Sequence, residues 1–449
     1  MAALWLAELL LSCAGIYMIL AGPWHIDRPA PDFPADFGVL PHALVLAAIL
    51  GASGMVIGLY RTEICLERRR LLLNAAVAAI LAFPVALLVG GHFSMGLSKV
   101  YAVWLVKVLV IWLAFVTAIR LLLRGALARR ALVRRILVVG PEAAAVRDHA
   151  RLHAPRRFDF VVANAAEPTG PERFLPATLR RDHVWAILLA DRAAPSGDTS
   201  DDPSATLEPL RAGRMHGARM FGEASFWEQC LGRVNLDRID RQWFLSGDGF
   251  TDGPFGTAAK RLLDVLVSVV LLTLTFPLML AVALAVKLDS QGPLFYRQLR
   301  VGLHGKPFTL LKFRSMRADA ESGGTPRWAA RRDDRVTRVG RFIRSTRIDE
   351  LPQLVNVLRG EMSLVGPRPE RPHFVEQLAA VIPFYHERAH VKPGITGWAQ
   401  VNYPYGASVE DAREKLSYDL YYLKYHGLLL DLLILVSTVR VILFREGAR

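Results

Sequence analysis

Apolar residues in this chain are gathered into long blocks. Four runs come first, over 3–22, 40–60, 71–90 and 101–123, each near the ~20 residues a helix needs to cross a bilayer. A fifth run covers 262–286 and a sixth 428–444. Between the fourth and fifth the pattern changes to short strands and amphipathic stretches. RRILVVG (134–140) predicts a strand ending in glycine, and PEAAAVRDHARLH after it predicts a helix, together the opening of a βα unit. VWAILLA (184–190) predicts a second buried strand. The GxGxxG of a dinucleotide fold is missing after the first strand, where Gly140, Pro141, Glu142, Ala143 and Ala144 stand. The expectation is a Rossmann-like domain that binds no dinucleotide. SGDTSDDPS (196–204) reads as a surface loop and SGDGFTDGP (246–254) as a domain linker.

Charge orients these blocks. Arg61, Arg68, Arg69 and Arg70 lie between the second and third runs, and Arg120, Arg124, Arg129, Arg130, Arg134 and Arg135 follow the fourth. The other two loops are poor in Lys and Arg, so the positive-inside rule puts both ends of a four-helix transmembrane bundle (1–125) in the cytoplasm. Glu8 and Lys107 fall within spans, where packing between helices is the expected role. The fifth run carries Lys260 and Arg261 at one end, Lys287 at the other and Pro277 in its middle. Hydropathy alone favours an ordinary span kinked by proline. Yet a crossing would separate the arginine-rich 297–371 region from cytosolic substrates, and a helix that breaks and returns to the same face avoids that. The sixth run, preceded by YDLYYLKYH, suits an interfacial helix better than a span.

Composition narrows the class. The 449 residues are 52% hydrophobic with a formal charge of +14, allowing two or three domains. With these apolar blocks, the positive charge points to anionic lipid and phosphorylated substrates rather than nucleic acid. Cys13, Cys65 and Cys230 are far apart, with no CxxC, and read as inert thiols. His373, His386 and His390 have no metal-ligand spacing and read as surface or core residues.

The most informative stretch is RSTRIDELPQLVNVLRGEMSLVGPRP (344–369). Asp349 and Glu350 stand among Arg344, Arg347, Arg359 and Arg368, and Arg368 is held between Pro367 and Pro369. Leu351, Leu354, Val355 and Leu358 share one helix face, and Pro352 requires a first-turn position, so a helix should begin near Asp349 or Glu350. A helix N-terminus would keep Asp349 ionised and attract phosphate, which suits a nucleophile that forms an acyl phosphate. An N-cap aspartate with surface ion pairs is the plainer alternative. In KFRSM (312–316), Lys312 and Arg314 alternate along a strand and point to one face, suiting a diphosphate or a lipid phosphate.

KRLLDVLVSVV (260–270), KFRSM, IDELPQL (348–354), GPRPE (366–370) and KPGITGWAQVN (392–402) occur in this order. Together they closely resemble the bacterial sugar transferase family, the monotopic polyprenyl-phosphate hexose-1-phosphate transferases, over about 260–449. The whole chain resembles the long-form members, in particular exopolysaccharide priming enzymes with VNYPYGAS after the tryptophan motif. Many relatives carry a Gly-Arg-Asn run there, and this departure leaves the transferred sugar open.

The resemblance implies a membrane protein of mixed α and α/β class: the bundle, a Rossmann-like domain (134–250) and a catalytic domain (258–449) with a re-entrant helix over 261–287. Pro277 would form the bend; the family's serine before that proline is Phe276 here, with Thr275 one residue back. The implied substrates are a UDP-hexose and undecaprenyl phosphate, with Mg²⁺ as cofactor, and UMP is the implied leaving product. Asp349 carries over as nucleophile and metal ligand, and Glu350 as its partner. Lys312, Arg314, Arg344, Arg368, Gln400 and Asp419 carry over as substrate-binding residues; Trp398 is read as packing. The implied place is the bacterial inner membrane, multi-pass, with membrane lipids around the spans and the catalytic domain on the cytoplasmic face. The resemblance also allows a homodimer. A non-catalytic membrane scaffold and a lipid-phosphate phosphatase are the competing readings.

Overall fold

The structure is a computed structural model describing residues 2–21, 39–57, 68–90, 99–128, 133–140, 142–153, 158–162, 184–190, 219–239, 243–244, 250, 253–317, 335–404, 406 and 408–444. The chain divides into two compact units, Met1–Glu223 and Ala224–Arg449.

The first unit opens with four apolar helices, α1 (Ala2–Ala21), α2 (Val39–Ile57), α3 (Arg68–Gly90) and α4 (Lys99–Ala128), within a residue or two of the runs at most ends. Each packs on the next, and α1 also meets α4. Small residues make this close approach possible: Ala43, Ala47, Ala75, Ala78 and Ala82 are buried at the contacts. Glu8 is buried in this layer, whereas Lys107 is exposed. Of the orienting arginines, Arg68, Arg69 and Arg70 open α3, Arg120 and Arg124 fall in α4 and Arg134 and Arg135 open the first strand, whereas Arg61, Arg129, Arg130 and Cys65 lie outside the described residues.

A four-stranded parallel sheet follows, in the order β2 (Phe158–Val162), β1 (Arg134–Val139), β3 (Val184–Leu189), β4 (Arg219–Gly222). Helix α5 (Ala143–His153) packs on β1 and β2. Gly140 ends β1 with φ +133°, and a Cβ there would lie 2.5 Å from the Ala190 carbonyl oxygen. The glycine is therefore explained by the close approach of two strand ends. The 196–204 stretch lies outside the described residues.

The second unit starts earlier than the sequence suggested. The described residues among 224–250 (224–239, 243–244 and 250), grouped above with the Rossmann-like domain, pack in the C-terminal unit. The Glu228 carboxylate accepts from Lys424 Nζ at 3.0 Å, Tyr425 Oη at 2.6 Å and Trp243 Nε1 at 2.5 Å. Trp243, Phe244 and Phe250 join the core formed by Leu378, Tyr385, Leu416 and Leu420. A charged carboxylate inside a unit is stable only when several donors meet it, and those donors come from the C-terminal unit. Phe250 therefore sits inside this unit, where a linker was expected.

Helix α6 runs from Pro254 to Asp289 as one helix through Pro277, without the expected interruption. Thr275 Oγ1 donates to the Leu271 carbonyl at 2.7 Å. The hairpin β5 (Phe295–Val301) and β6 (Pro307–Phe313) follows, then α7 (Arg338–Ser345) and α8 (Gln353–Arg359). A parallel pair, β7 (Ser363–Val365) and β8 (Gly394–Thr396), flanks α9 (Pro372–Val381). The chain then forms α10 (Trp398–Asn402), α11 (Val409–Tyr425) and α12 (Leu428–Phe444). One core joins Leu310, Leu354, Val357, Leu364, Tyr422 and Ile434, and another joins Val282, Val286, Phe313 and Ile343.

Candidate active site

The dyad sits one turn ahead of α8. Ile348–Glu350 form a 3-10 turn, and α8 itself starts at Gln353, so the helix begins later than the sequence predicted. Arg347 enters the turn in the left-handed region at φ 59°, which reverses the chain between α7 and the dyad. Both carboxylates are 8% exposed.

Their environments differ. Glu350 Oε1 accepts from Lys312 Nζ at 3.0 Å and from Arg368 Nη2 at 2.9 Å, with Arg347 Nη1 at 3.6 Å. Burial works to raise the Glu350 carboxyl, but Lys312, Arg368 and Arg347 override it and hold it well below the usual carboxylate range. The Asp349 carboxylate has no hydrogen-bond partner among the described residues. Burial, and then the Glu350 charge, push it up to about 6 against Lys312, Arg344 and Arg347. The expectation that a helix N-terminus holds Asp349 ionised is thus modified: Glu350 keeps its charge more strongly than an ordinary carboxylate, and Asp349 less strongly.

Asn356 sets this geometry. Its Oδ1 accepts from Leu311 N at 3.1 Å, while Nδ2 donates to the Thr309 carbonyl at 2.8 Å and to Glu361 Oε2 at 2.7 Å. These bonds fasten β6 to α8, placing Lys312, the next residue, against Glu350.

Arg314 is placed differently from the sequence expectation. Its guanidinium donates to the carbonyls of Ser290 at 2.6 Å and Gln291 at 3.0 Å, at the C-terminus of α6. Most of its hydrogen bonds therefore hold the turn that directly follows α6, with a longer one, 3.5 Å, to the Val286 carbonyl in its last turn. Its Nε is buried with no partner among the described residues, and both Arg314 and Lys312 line one cavity.

A cavity of about 870 Å³ joins these groups. Ten arginines (297, 300, 314, 317, 335, 344, 347, 368, 371 and 388) and two lysines (312 and 415) line it against three carboxylates (Asp349, Glu370 and Asp419). Leu294, Phe295 and Phe313 add an apolar part beside the end of α6. Gln400 also lines the cavity; its Nε2 donates to the Ile395 carbonyl at 3.1 Å, and its buried Oε1 has no partner among the described residues. Asp419 lines it too, but accepts from Arg388 Nη2 at 2.8 Å. Trp398 lies elsewhere: its Nε1 donates to the Gly232 carbonyl at 2.6 Å and its ring stacks on Tyr421, a packing role. Pro277 is in α6, away from this lining.

Sequence reasoning missed Asn356, Arg300 and Arg388. Asn356 occupies an ordinary helix position, and the two arginines lie outside every motif singled out above.

The fold and site define a protein with a carboxylate pair, one member held by two cations, at a cationic cavity beside a long apolar helix. Such a site is built for phosphorylated ligands. The chain belongs to the bacterial sugar transferase family, whose sequence profile matches residues 255–445. It is 46% identical over 222 residues to the UDP-N-acetylgalactosamine-undecaprenyl-phosphate N-acetylgalactosaminephosphotransferase of Aeromonas hydrophila, covering 49% of this chain and 52% of that protein. It is 46% identical over 187 residues to the UDP-glucose:undecaprenyl-phosphate glucose-1-phosphate transferase of Xanthomonas campestris pv. campestris, covering 41% of this chain and 39% of the relative. Against the enzyme of that name from Caulobacter vibrioides it is 47% identical over 191 residues, 42% of this chain and 71% of the relative. The matched region thus spans about half or less of the first two relatives.

Proposed function

We propose that this protein transfers a hexose-1-phosphate from a UDP-sugar to undecaprenyl phosphate, releasing UMP and beginning an exopolysaccharide on its lipid carrier. The observation that carries this reading is Asp349, unpartnered beside a Glu350 already saturated by Lys312 and Arg368. An Asp349 oxygen attacks the phosphorus that bears the sugar, and the bond from that phosphorus to the bridging oxygen breaks, so UMP leaves with the electron pair. A phosphate oxygen of the lipid then attacks the same phosphorus, and the bond to Asp349 breaks. Arg344 and Arg347 face the charge that develops there, and Arg368 serves the nucleotide phosphate. Gln400 contributes an acceptor to a substrate hydroxyl.

Asp349 fits a hard divalent cation as a single carboxylate ligand, because Glu350 is committed to cations. Mg²⁺ is commonly held in this way, with substrate phosphates and water completing its shell, and it offsets repulsion between carboxylate and diphosphate.

The membrane reading is part of the proposal. Helices α1–α4 would cross the inner membrane as a multi-pass bundle, with the second unit on the cytoplasmic face and a homodimer compatible with the family. A re-entrant course for α6 is supported by where its two halves attach. Arg261 donates to the Val357 and Leu358 carbonyls, while Arg314 holds the Ser290 carbonyl at the other end. In a straight helix, Val267 and Val286 would stand about 28 Å apart. Yet the two cores they pack in contain Leu310 and Phe313 of one strand, about 10 Å apart. Between them, Val270, Leu274, Phe276 and Leu280 are exposed, as a lipid-embedded bend would be.

The test is UMP release by purified protein with Mg²⁺, undecaprenyl phosphate and a panel of UDP-sugars, wild type beside Asp349→Asn. One sugar giving UMP and lipid-linked product only with the wild type supports the reading; equal release by the variant overturns the nucleophile.

A further inference from the structure

The Pro-Arg-Pro turn has a peculiarity that follows from its composition. Pro367 and Pro369 have no N–H, so Arg368 supplies the only backbone donor of the three residues. The turn is therefore held from outside, through its carbonyls, and each one is taken. The Pro367 carbonyl accepts from Gly394 N at 2.9 Å. The Arg368 carbonyl accepts from Arg388 Nη2 at 3.0 Å, and the Pro369 carbonyl from Arg300 Nη1 at 2.9 Å. Two consecutive carbonyls are thus gripped by two arginines from different elements, β5 and the 3-10 turn before β8.

Both arginines are themselves fixed. Arg388 donates to Asp419 Oδ2 at 2.8 Å and to Tyr385 Oη at 2.8 Å. Arg300 Nη2 donates to Gln298 Oε1 at 2.6 Å. Their side chains are mostly buried, at 12% and 17% exposure, so water is a poor replacement for these bonds.

We infer that Arg300 and Arg388 are positioning residues, a clamp on the Pro-Arg-Pro turn that aims the Arg368 guanidinium at Glu350, and that Asp419 acts through Arg388 rather than on substrate. The clamp rests on the phosphotransfer reading of the site. It changes the role given to Asp419 by the resemblance, and it gives roles to two residues outside every motif. A guanidinium suits the task because one planar group spans a carbonyl and a carboxylate at once, which a lysine ammonium at the end of a flexible stem does less rigidly.

The test is a double-mutant cycle against Arg368. Arg388→Gln alone lowers kcat/KM for the UDP-sugar roughly 10- to 100-fold, the cost of a small misplacement. Added to Arg368→Ala, it costs no more than about twofold further, since its effect passes through the residue already removed. Asp419→Asn, which keeps the shape of the side chain, repeats the pattern in both backgrounds. An undiminished loss in the Arg368→Ala background would mean that Arg388 or Asp419 touches substrate directly, and would overturn the clamp. Amide exchange at Gly394, whose N–H donates to the Pro367 carbonyl of the turn, gives a second readout that needs no turnover. Arg388→Gln should speed it at least about tenfold, because a bond to a charged donor is lost; unchanged exchange overturns the clamp. Absence of UMP release from the wild type with every UDP-sugar would instead remove the proposed reaction, leaving the exchange measurement to decide the clamp.

Discussion

Lys312 Nζ and Arg368 Nη2 meet on the same oxygen, Glu350 Oε1, at 3.0 and 2.9 Å. One cation comes from the β5–β6 hairpin and the other from the turn after β7, so a single carboxylate atom ties three elements together. The neighbouring carboxylate, Asp349, has no hydrogen-bond partner among the described residues. A group meant to attack phosphorus should be in that state, while its companion keeps the local charge balanced.

Asp349→Asn should lower UMP release by at least about a thousandfold, as removal of a nucleophile does. Its unfolding temperature should be no lower than that of the wild type, because a buried carboxyl pushed up to about 6 is a net cost to the folded state at neutral pH. Calorimetry beside the activity assay checks both; a clear drop in unfolding temperature would mean that Asp349 is structural.

The pH dependence follows from the same group. In the proposed reaction the ionised carboxylate is the attacking form, so kcat/KM should fall as pH drops through about 6. The midpoint belongs to the Asp349–Glu350 pair rather than to one residue. Lys312 favours the ionised form of both carboxylates, so Lys312→Met should move that limb to higher pH. A limb that stays in place would exclude Asp349 as the titrating group.

Asn356→Ala should reduce both stability and turnover. It leaves Leu311 N and the Thr309 carbonyl without their partner, and each buried unsatisfied group costs about 1–3 kcal/mol. It also loosens the strand that delivers Lys312. Thermal unfolding and steady-state kinetics on one preparation check the pair of effects; wild-type kcat would show that β6 is held by other contacts.

Arg314→Gln separates helix capping from phosphate binding. If capping dominates, the variant loses thermal stability while KM for the UDP-sugar changes by less than about twofold, the usual scatter for uncoupled sites. A large rise in KM would return Arg314 to the substrate-binding set through its unpartnered Nε.

Cysteines placed singly at 249–256 and at 300–306, with the native cysteines replaced, should label from the same side of the membrane. Labelling from opposite sides would make α6 an ordinary span.

Much of this organisation could be read along the chain, because apolar periodicity is a local property. The four N-terminal runs reappear as α1–α4 with ends shifted by a few residues, and β1 and β3 lie where buried apolar stretches of six or seven residues occur. Strands β2 and β4 went unnoticed, being five and four residues long and carrying no turn signal of their own. The domain boundary was misjudged for a different reason. SGDGFTDGP has linker composition, but Phe250 within it packs among Trp243 and Phe244, and composition cannot register a partner elsewhere in the sequence.

By itself, the sequence determined which residues are the candidates for the chemistry: the Asp349–Glu350 dyad, Lys312 and Arg368 are adjacent to prolines, glycines or apolar periods that mark their places. Tertiary structure decided how the charge is shared among them. Whether a carboxylate is paired or left bare depends on which cations reach it through space, and electrostatic energy inside a protein changes steeply over a few ångströms. Lys312 reaches Glu350 because Asn356 fastens a strand to a helix, Arg314 turns mainly to the end of α6, and Arg388 grips the turn behind Arg368. No spacing along the chain encodes those three distances, so only the folded chain makes Glu350 the charged partner and Asp349 the available one.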